Sequence, residues 1–180
     1  MKIFTSEQIR KIDAETISRE EISSLELMER AAIAFYDWFV EQYNRKETSV
    51  FLFAGVGNNG GDALVVARLL HEAGYPVSVF MVEYSPTYSE DCSHNIRRAK
   101  AENISCETII SENDFPSLEK CDVLIDGIFG TGLNREVSGV AREVIDRINE
   151  SGKKVISIDV PSGLFLDRET TFAVKASETV

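Results

Sequence analysis

Ser49-Val50-Phe51-Leu52-Phe53-Ala54-Gly55-Val56-Gly57-Asn58-Asn59-Gly60-Gly61-Asp62 opens on a short, nearly unbroken apolar run and closes on glycines, asparagines and an aspartate. An apolar run of this length ending in glycine reads as a strand covered on both faces, the kind that fills parallel sheets. Glycines at 55, 57, 60 and 61 are expected to permit positive φ and to let backbone amides approach an anion without an intervening Cβ. Residues 57–62 are therefore read as a phosphate-holding turn between a strand and a helix, the helix taking up residues 62–72 through Leu64, Val65, Ala67, Leu69 and Leu70. The Gly55 to Gly60 spacing also fits G-x-G-x-x-G, which is weak by itself, and a tight turn capped by Asn and Asp explains the stretch about as well.

Upstream, Ile9, Ile12 and Ile17 predict a short amphipathic helix, and Leu25, Leu27, Met28, Ala31, Ala32, Phe35, Phe39 and Val40 a longer one over residues 24–43. Trp38 and Tyr36 on it are read as core or rim. Downstream, Gly74-Tyr75-Pro76 stops the helix before a strand at 77–82; a helix at 89–101, strands at 107–110 and 123–125, a helix at 139–149 and a strand at 155–158 follow. Repeated β-α-β alternation predicts one α/β domain over residues 1–180, a three-layer αβα Rossmann-like fold whose mostly parallel sheet has helices on both faces. Ligands in such folds bind beyond the carboxyl ends of the strands. Besides the glycine turn, those ends carry Asp126-Gly127-Ile128-Phe129-Gly130-Thr131-Gly132-Leu133 and Asp159-Val160-Pro161-Ser162-Gly163. Each alone reads as a capped surface turn about as readily as a site. Together on one sheet edge they predict a ligand site.

The totals restrict the partners. Nineteen Lys and Arg face 30 Asp and Glu, a net charge of -11. That balance argues against nucleic acid or an anionic membrane, and a diphosphate ligand would need local amides, basic side chains or a cation. Cys92, Cys106 and Cys121 are odd in number and widely spaced, which suggests neither a disulfide framework nor zinc and fits a cytoplasmic setting. No stretch approaches the ~20 apolar residues of a membrane span, and the first residues lack a signal-peptide core. His71 and His94 have no metal-spaced partner and receive no role.

In chain order, residues 57–62, residues 126–133 and Asp159-Val160-Pro161-Ser162-Gly163-Leu164 resemble the motifs of the YjeF N-terminal domain, the family of NAD(P)H-hydrate epimerases. The resemblance runs from the amino-terminal helices to Val180, with two departures. Ala63 stands where the family commonly has glycine, and its methyl is expected to narrow the cradle; the chain stops at Thr179-Val180, where family members usually continue with further strands. The resemblance implies a substrate, NADH or NADPH hydrated on the nicotinamide ring (NADHX, NADPHX), whose epimers are interconverted, and it implies a potassium ion. By motif match Asn59, Asp126 and Ser162 would be its oxygen ligands. Asn58, Asn59, Gly60, Gly61, Asp62, Gly130, Thr131, Gly132, Leu133, Asn134, Arg135, Glu136 and Asp159 would contact substrate, Arg135 more weakly than the rest since solvated charge explains it too. The cation would offset the acidic field near a diphosphate. The resemblance further implies a homodimer, for which the helix at 24–43 offers a surface, although a core role explains that helix as well, and a dehydratase domain or protein acting on the S epimer.

In the hydrated ring the hydroxyl sits on the carbon beside the ring nitrogen, so inversion requires hydroxide loss or ring opening. Asp159 is expected to be the acid/base for both proton transfers. Two other readings stand beside this one: a non-catalytic nucleotide-binding or scaffold module of the same fold, and a methyltransferase or general dinucleotide binder. Retention of Asp126, Asp159 and Ser162 argues against the first, and the acidic glycine loop following the fourth strand rather than the first argues against the second.

Overall fold

The computed structural model describes residues 4–180. Two helices lead. α1 (Ser6–Glu20) and α2 (Ser24–Gln42) each start at a capping box, Thr5 with Gln8 and Ser23 with Glu26, in which side chain and backbone at either end satisfy each other's orphan groups. Met28, Ala32, Phe35 and Phe39 of α2 are buried, while Tyr36 and Trp38 pack half-buried against the core, as read from the sequence. On α1 the inward side carries Ile9 and Ile17, both half-buried, whereas Ile12, expected beside them, is 45% exposed. Positions 9, 13 and 17 repeat every four residues and share a helix face, so Asp13 rather than Ile12 lies between the two isoleucines.

Six strands follow: β1 (Val50–Ala54), β2 (Val77–Val82), β3 (Ser105–Ile109), β4 (Val123–Gly127), β5 (Lys154–Ser157) and β6 (Glu178–Thr179), in the order β3-β2-β1-β4-β5-β6. Every pairing is parallel. The crossovers are α3 (Asn58–Glu72), α4 (Glu90–Ala101) and α5 (Val140–Glu150). Alternation along the strands divides the core into two layers. Leu52, Val79, Ile125 and Ile156 face α2, α3 and α4, while Phe53, Phe80, Leu124 and Val155 face the layer of Val144, Ile145 and Ile148 from α5. The structure matches the Rossmann-like expectation at every long element. β3 begins two residues before the expected strand at 107, α3 begins at Asn58 rather than at 62, β4 runs on to Gly127 past the expected end at 125, and β6 has no counterpart among the sequence expectations.

Candidate functional site

β1 and β4 are sheet neighbours, but the chain leaves β1 toward β2 and β3 and leaves β4 toward β5 and β6. That reversal opens a crevice at the strand ends. The backbones there approach very closely. A Cβ on Gly55 would stand 2.0 Å from the Ile128 carbonyl oxygen, and one on Gly60 would stand 1.8 Å from the Gly55 carbonyl oxygen. Positive φ among glycines is confined to Gly74, Gly139, Gly152 and Gly163, so those at 55, 60 and 61 serve close approach and not the left-handed conformation expected of them, while Gly57 has neither a positive φ nor a crowded Cβ position. The motif is accordingly the first turn of α3 and not a loop before it. Gly57 is its N-cap and supplies no side-chain hydrogen bond, which leaves first-turn N–H groups available at the positive end of the helix dipole.

A cavity of about 520 Å³ lies in front of this turn. Gly57, Asn58, Asn59 and Asp62 line it together with Gly130, Thr131, Gly132, Leu133, Asn134, Arg135 and Asp159. Gly60 and Gly61 are buried inside α3, against Gly55 and Met28, and Glu136 turns out toward Arg168 at 3.8 Å, so these three do not line it. Arg10 and Asp13 of α1, Tyr84 after β2 and Phe129 also line the cavity, and sequence reasoning assigned none of them a role. Tyr84 and Phe129 form a tilted ring pair with centroids 4.5 Å apart. Beside this cavity a second one, about 530 Å³ and walled by Ile9, Ile17, Leu27, Met28 and Phe35, runs between α1 and α2. Asp13, Asn58, Asp62, Thr131 and Asp159 belong to both walls.

Beneath the cavity, Asp126 is completely buried. Its Oδ2 accepts from Ser157 Oγ at 2.7 Å and the Ser162 amide at 2.9 Å, and its Oδ1 accepts from Ser162 Oγ at 2.5 Å and the Ile128 amide at 3.3 Å. Burial raises its pKa, and the hydrogen bonds from Ser162, Ser157 and Ile128 oppose that rise. Ser162 Oγ in turn accepts from the Phe129 amide at 2.8 Å, tying the loop after β5 to the loop after β4. Asn59, only 8% exposed, donates to the Ile158 carbonyl at 3.5 Å. The fold thus brings Asn59, Asp126 and Ser162 to adjacent strand ends as buried oxygen-bearing groups. Among the described residues no cluster of three or more His, Cys, Asp or Glu side chains is placed to hold a metal. The Ala63 methyl is buried and does not line the cavity; a Cβ on Gly127 would stand 2.6 Å from it, so it fills the seam between α3 and β4 and leaves the cradle open.

Asp159 adopts φ 67°, a left-handed conformation uncommon outside glycine but tolerated by Asp and Asn. Its amide donates to the Val180 carbonyl at 2.9 Å, and its Oδ2 accepts from the Thr131 amide at 2.7 Å. A non-glycine residue held in this region at a cavity wall points to a functional constraint. Asp62, half-buried in the same lining, has its pKa pushed up to about 8 by burial and by the charges of Asp159, Asp13 and Asp91. Burial first, then Asp159, also raises Asp13. Arg10 and Arg135 are the cations that face these carboxyls across the first cavity.

The family model described as YjeF-related protein N-terminus matches residues 24–180. NAD(P)H-hydrate epimerase of Lentilactobacillus buchneri is 38% identical over 178 residues, spanning 98% of this chain and 80% of that protein. The protein of the same name from Oenococcus oeni is 35% identical over 98% of this chain and 83% of its own length. The bifunctional NAD(P)H-hydrate repair enzyme Nnr of Thermofilum pendens is 35% identical over 100% of this chain and 35% of its own length. Among solved structures, yeast ynu0 superposes with a TM-score of 0.84 at 23% identity, covering 99% of this chain and 79% of that one, which speaks for the shared fold. With a matched segment that takes in both the α3 turn and Asp159, the chain belongs to the family of YjeF-related protein N-termini.

Proposed function

We propose that this protein is an isomerase, an NAD(P)H-hydrate epimerase that interconverts the R and S forms of NADHX and NADPHX. The observation that carries the reading is the placement of Asp159, an ionisable group on a strained backbone, in the same cavity as the uncapped N-terminus of α3. The diphosphate lies against the first-turn amides with Arg10 and Arg135 beside it, which answers the repulsion expected from a chain of net charge -11. A cavity of about 520 Å³ is within the usual size of ligand pockets. The curated relatives that carry the epimerase name, aligned over nearly the whole chain, support the same assignment.

Potassium belongs to this reading. Asn59 in the wall of the substrate cavity and Asp126 and Ser162 buried beneath it are hard oxygen donors, and a carboxylate as deeply buried as Asp126 favours a compensating cation. A bound potassium ion would supply positive charge near the diphosphate and fix the loops after β4 and β5. The three free thiols fit a reducing, cytoplasmic setting. A homodimer, and a dehydratase that takes up the S epimer, complete the reading.

Purified protein is expected to speed equilibration of separated R and S NADHX, followed by chromatography, and to do so faster in potassium than in an equal concentration of sodium. Equilibration at the uncatalysed rate in both salts would reject the epimerase reading. Gly130→Ala supplies a finer check. Its Cβ would lie 2.5 Å from Asp159 Oδ2, the end of a side chain, and 3.3 Å from Asn59 Cβ and Cγ, so the carboxylate must leave the Thr131 amide and Asn59 must shift slightly while the fold is little affected. Turnover is expected to fall about tenfold or more with Tm nearly unchanged; unchanged turnover would mean that the Asp159 position is immaterial.

A further inference from the structure

The wall common to the two cavities contains Asp62 from α3 and Asp159 from the loop after β5. Asn58 at the N-terminus of α3 belongs to the same wall, so a dinucleotide whose diphosphate sits there would meet carboxyls that approach from two separate elements. We propose, resting on the epimerase reading, that Asp62 is a second catalytic residue, and that Asp62 and Asp159 divide between them the two proton transfers of the inversion. In one direction the Asp62 carboxyl gives its proton to the ring hydroxyl. The carbon–oxygen bond breaks with its electron pair going to oxygen, water departs, and the lone pair of the ring nitrogen closes a carbon–nitrogen double bond. Water then adds to the other face of the planar carbon while the carbon–nitrogen π pair returns to nitrogen, and the attacking water gives its proton to Asp159. The opposite direction runs the same steps backwards with the carboxyls exchanged, as microscopic reversibility requires, and solvent resets the protons between turnovers.

Three observations favour Asp62 over the other acidic groups near the cavity. It is half-buried on a long helix, whereas Asp13 is exposed on α1 and Asp91 of α4 is engaged with Ser24 Oγ at 3.1 Å. Burial and the charges of Asp159, Asp13 and Asp91 hold it protonated through neutral pH. Among the described residues none donates a hydrogen bond to its carboxyl or accepts one from it, so the proton is not committed to another of these groups. The charged groups around it are Arg10 and Asp13 from α1, Asp91 from α4, Arg135 from the loop after β4, and Asp159.

The test is Asp62→Asn, assayed with each NADHX epimer across pH. The proposal predicts a loss of at least a hundredfold in kcat with KM within about threefold. In the wild type the rate from the epimer that needs the Asp62 proton should decline above pH about 8, and this alkaline limb should vanish from the residual activity of the variant. Folding is checked by melting. Between pH 4 and 8 the native state keeps a proton that the unfolded chain releases, so Asp62 lowers stability as pH rises, and Asp62→Asn should melt higher than wild type at pH 8 with the gap closing toward pH 4. An active wild type with a variant of similar kcat, or an unchanged alkaline limb in the variant, overturns the role of Asp62 and leaves the epimerase reading in place. A wild type that accelerates neither epimer overturns both.

Discussion

Asp159→Asn is expected to lower kcat for NADHX epimerisation by roughly a hundredfold to ten-thousandfold, with KM changed by only a few-fold. The reason lies in how little else the substitution changes. Asn is among the residues that tolerate the left-handed region, so φ 67° is retained without added strain. The Asn carbonyl oxygen can still accept from the Thr131 amide, the contact now made by Asp159 Oδ2 at 2.7 Å, and the backbone bond to Val180 is untouched. Only the ability to exchange a proton is removed. The matching control is Asp159→Ala, which also discards the acceptor and should raise KM as well as lower kcat, because the loop bearing Thr131 loses its tether. Steady-state kinetics on both epimers checks the pair; an Asn variant that turns over like wild type would place the proton chemistry elsewhere in the cavity.

What the sequence could and could not disclose divides by the range of the interaction. Strands buried on both faces are legible because continuous apolar runs such as residues 50–54 have few other uses, and α2 is legible because its apolar residues recur at helical spacing. Asp126 and Asp159 were legible as candidates because each directly follows an apolar strand core, where parallel sheets bind ligands. The reason for the glycines at 55 and 60 was not. Local chemistry suggests positive φ, whereas Gly55 is constrained by the backbone of Ile128, which only the pairing of β1 with β4 brings near, and Gly60 by the backbone of Gly55, on which the start of α3 folds back. Arg10 and Asp13 were hidden for a related reason: nothing local distinguishes a charged residue that turns toward a cavity from one on a solvated helix face, and the docking of α1 decides it. β6, with only Glu178 and Thr179, is too short and polar to carry a strand signal, and pairing with β5 alone defines it.

Close backbone packing at the turn from β1 into α3 makes Gly60→Ala the most damaging small substitution expected in the fold. Alanine normally stabilises a helix interior relative to glycine by roughly 0.5–1 kcal/mol. Here its methyl would stand 1.8 Å from the Gly55 carbonyl oxygen and 2.6 Å from the carbonyl carbon, which are backbone atoms and not flexible side-chain ends. Gly55 has no room to retreat, since its amide is bonded to the Gly127 carbonyl at 3.0 Å and its own Cβ position abuts Ile128. The start of α3 must therefore lift off the sheet, losing packing of Leu64 and its buried neighbours and moving the first-turn amides out of the cavity. A loss of more than about 3 kcal/mol is expected, at the upper end for overpacking, together with loss of NADHX binding. Gly132→Ala provides the contrast, because nothing lies within 4 Å of its Cβ position, and its stability should stay within about 0.5 kcal/mol of wild type. Urea unfolding of the two variants separates the cases. Equal midpoints would mean that the close crossing of β1, β4 and α3 is not what the motif glycines serve.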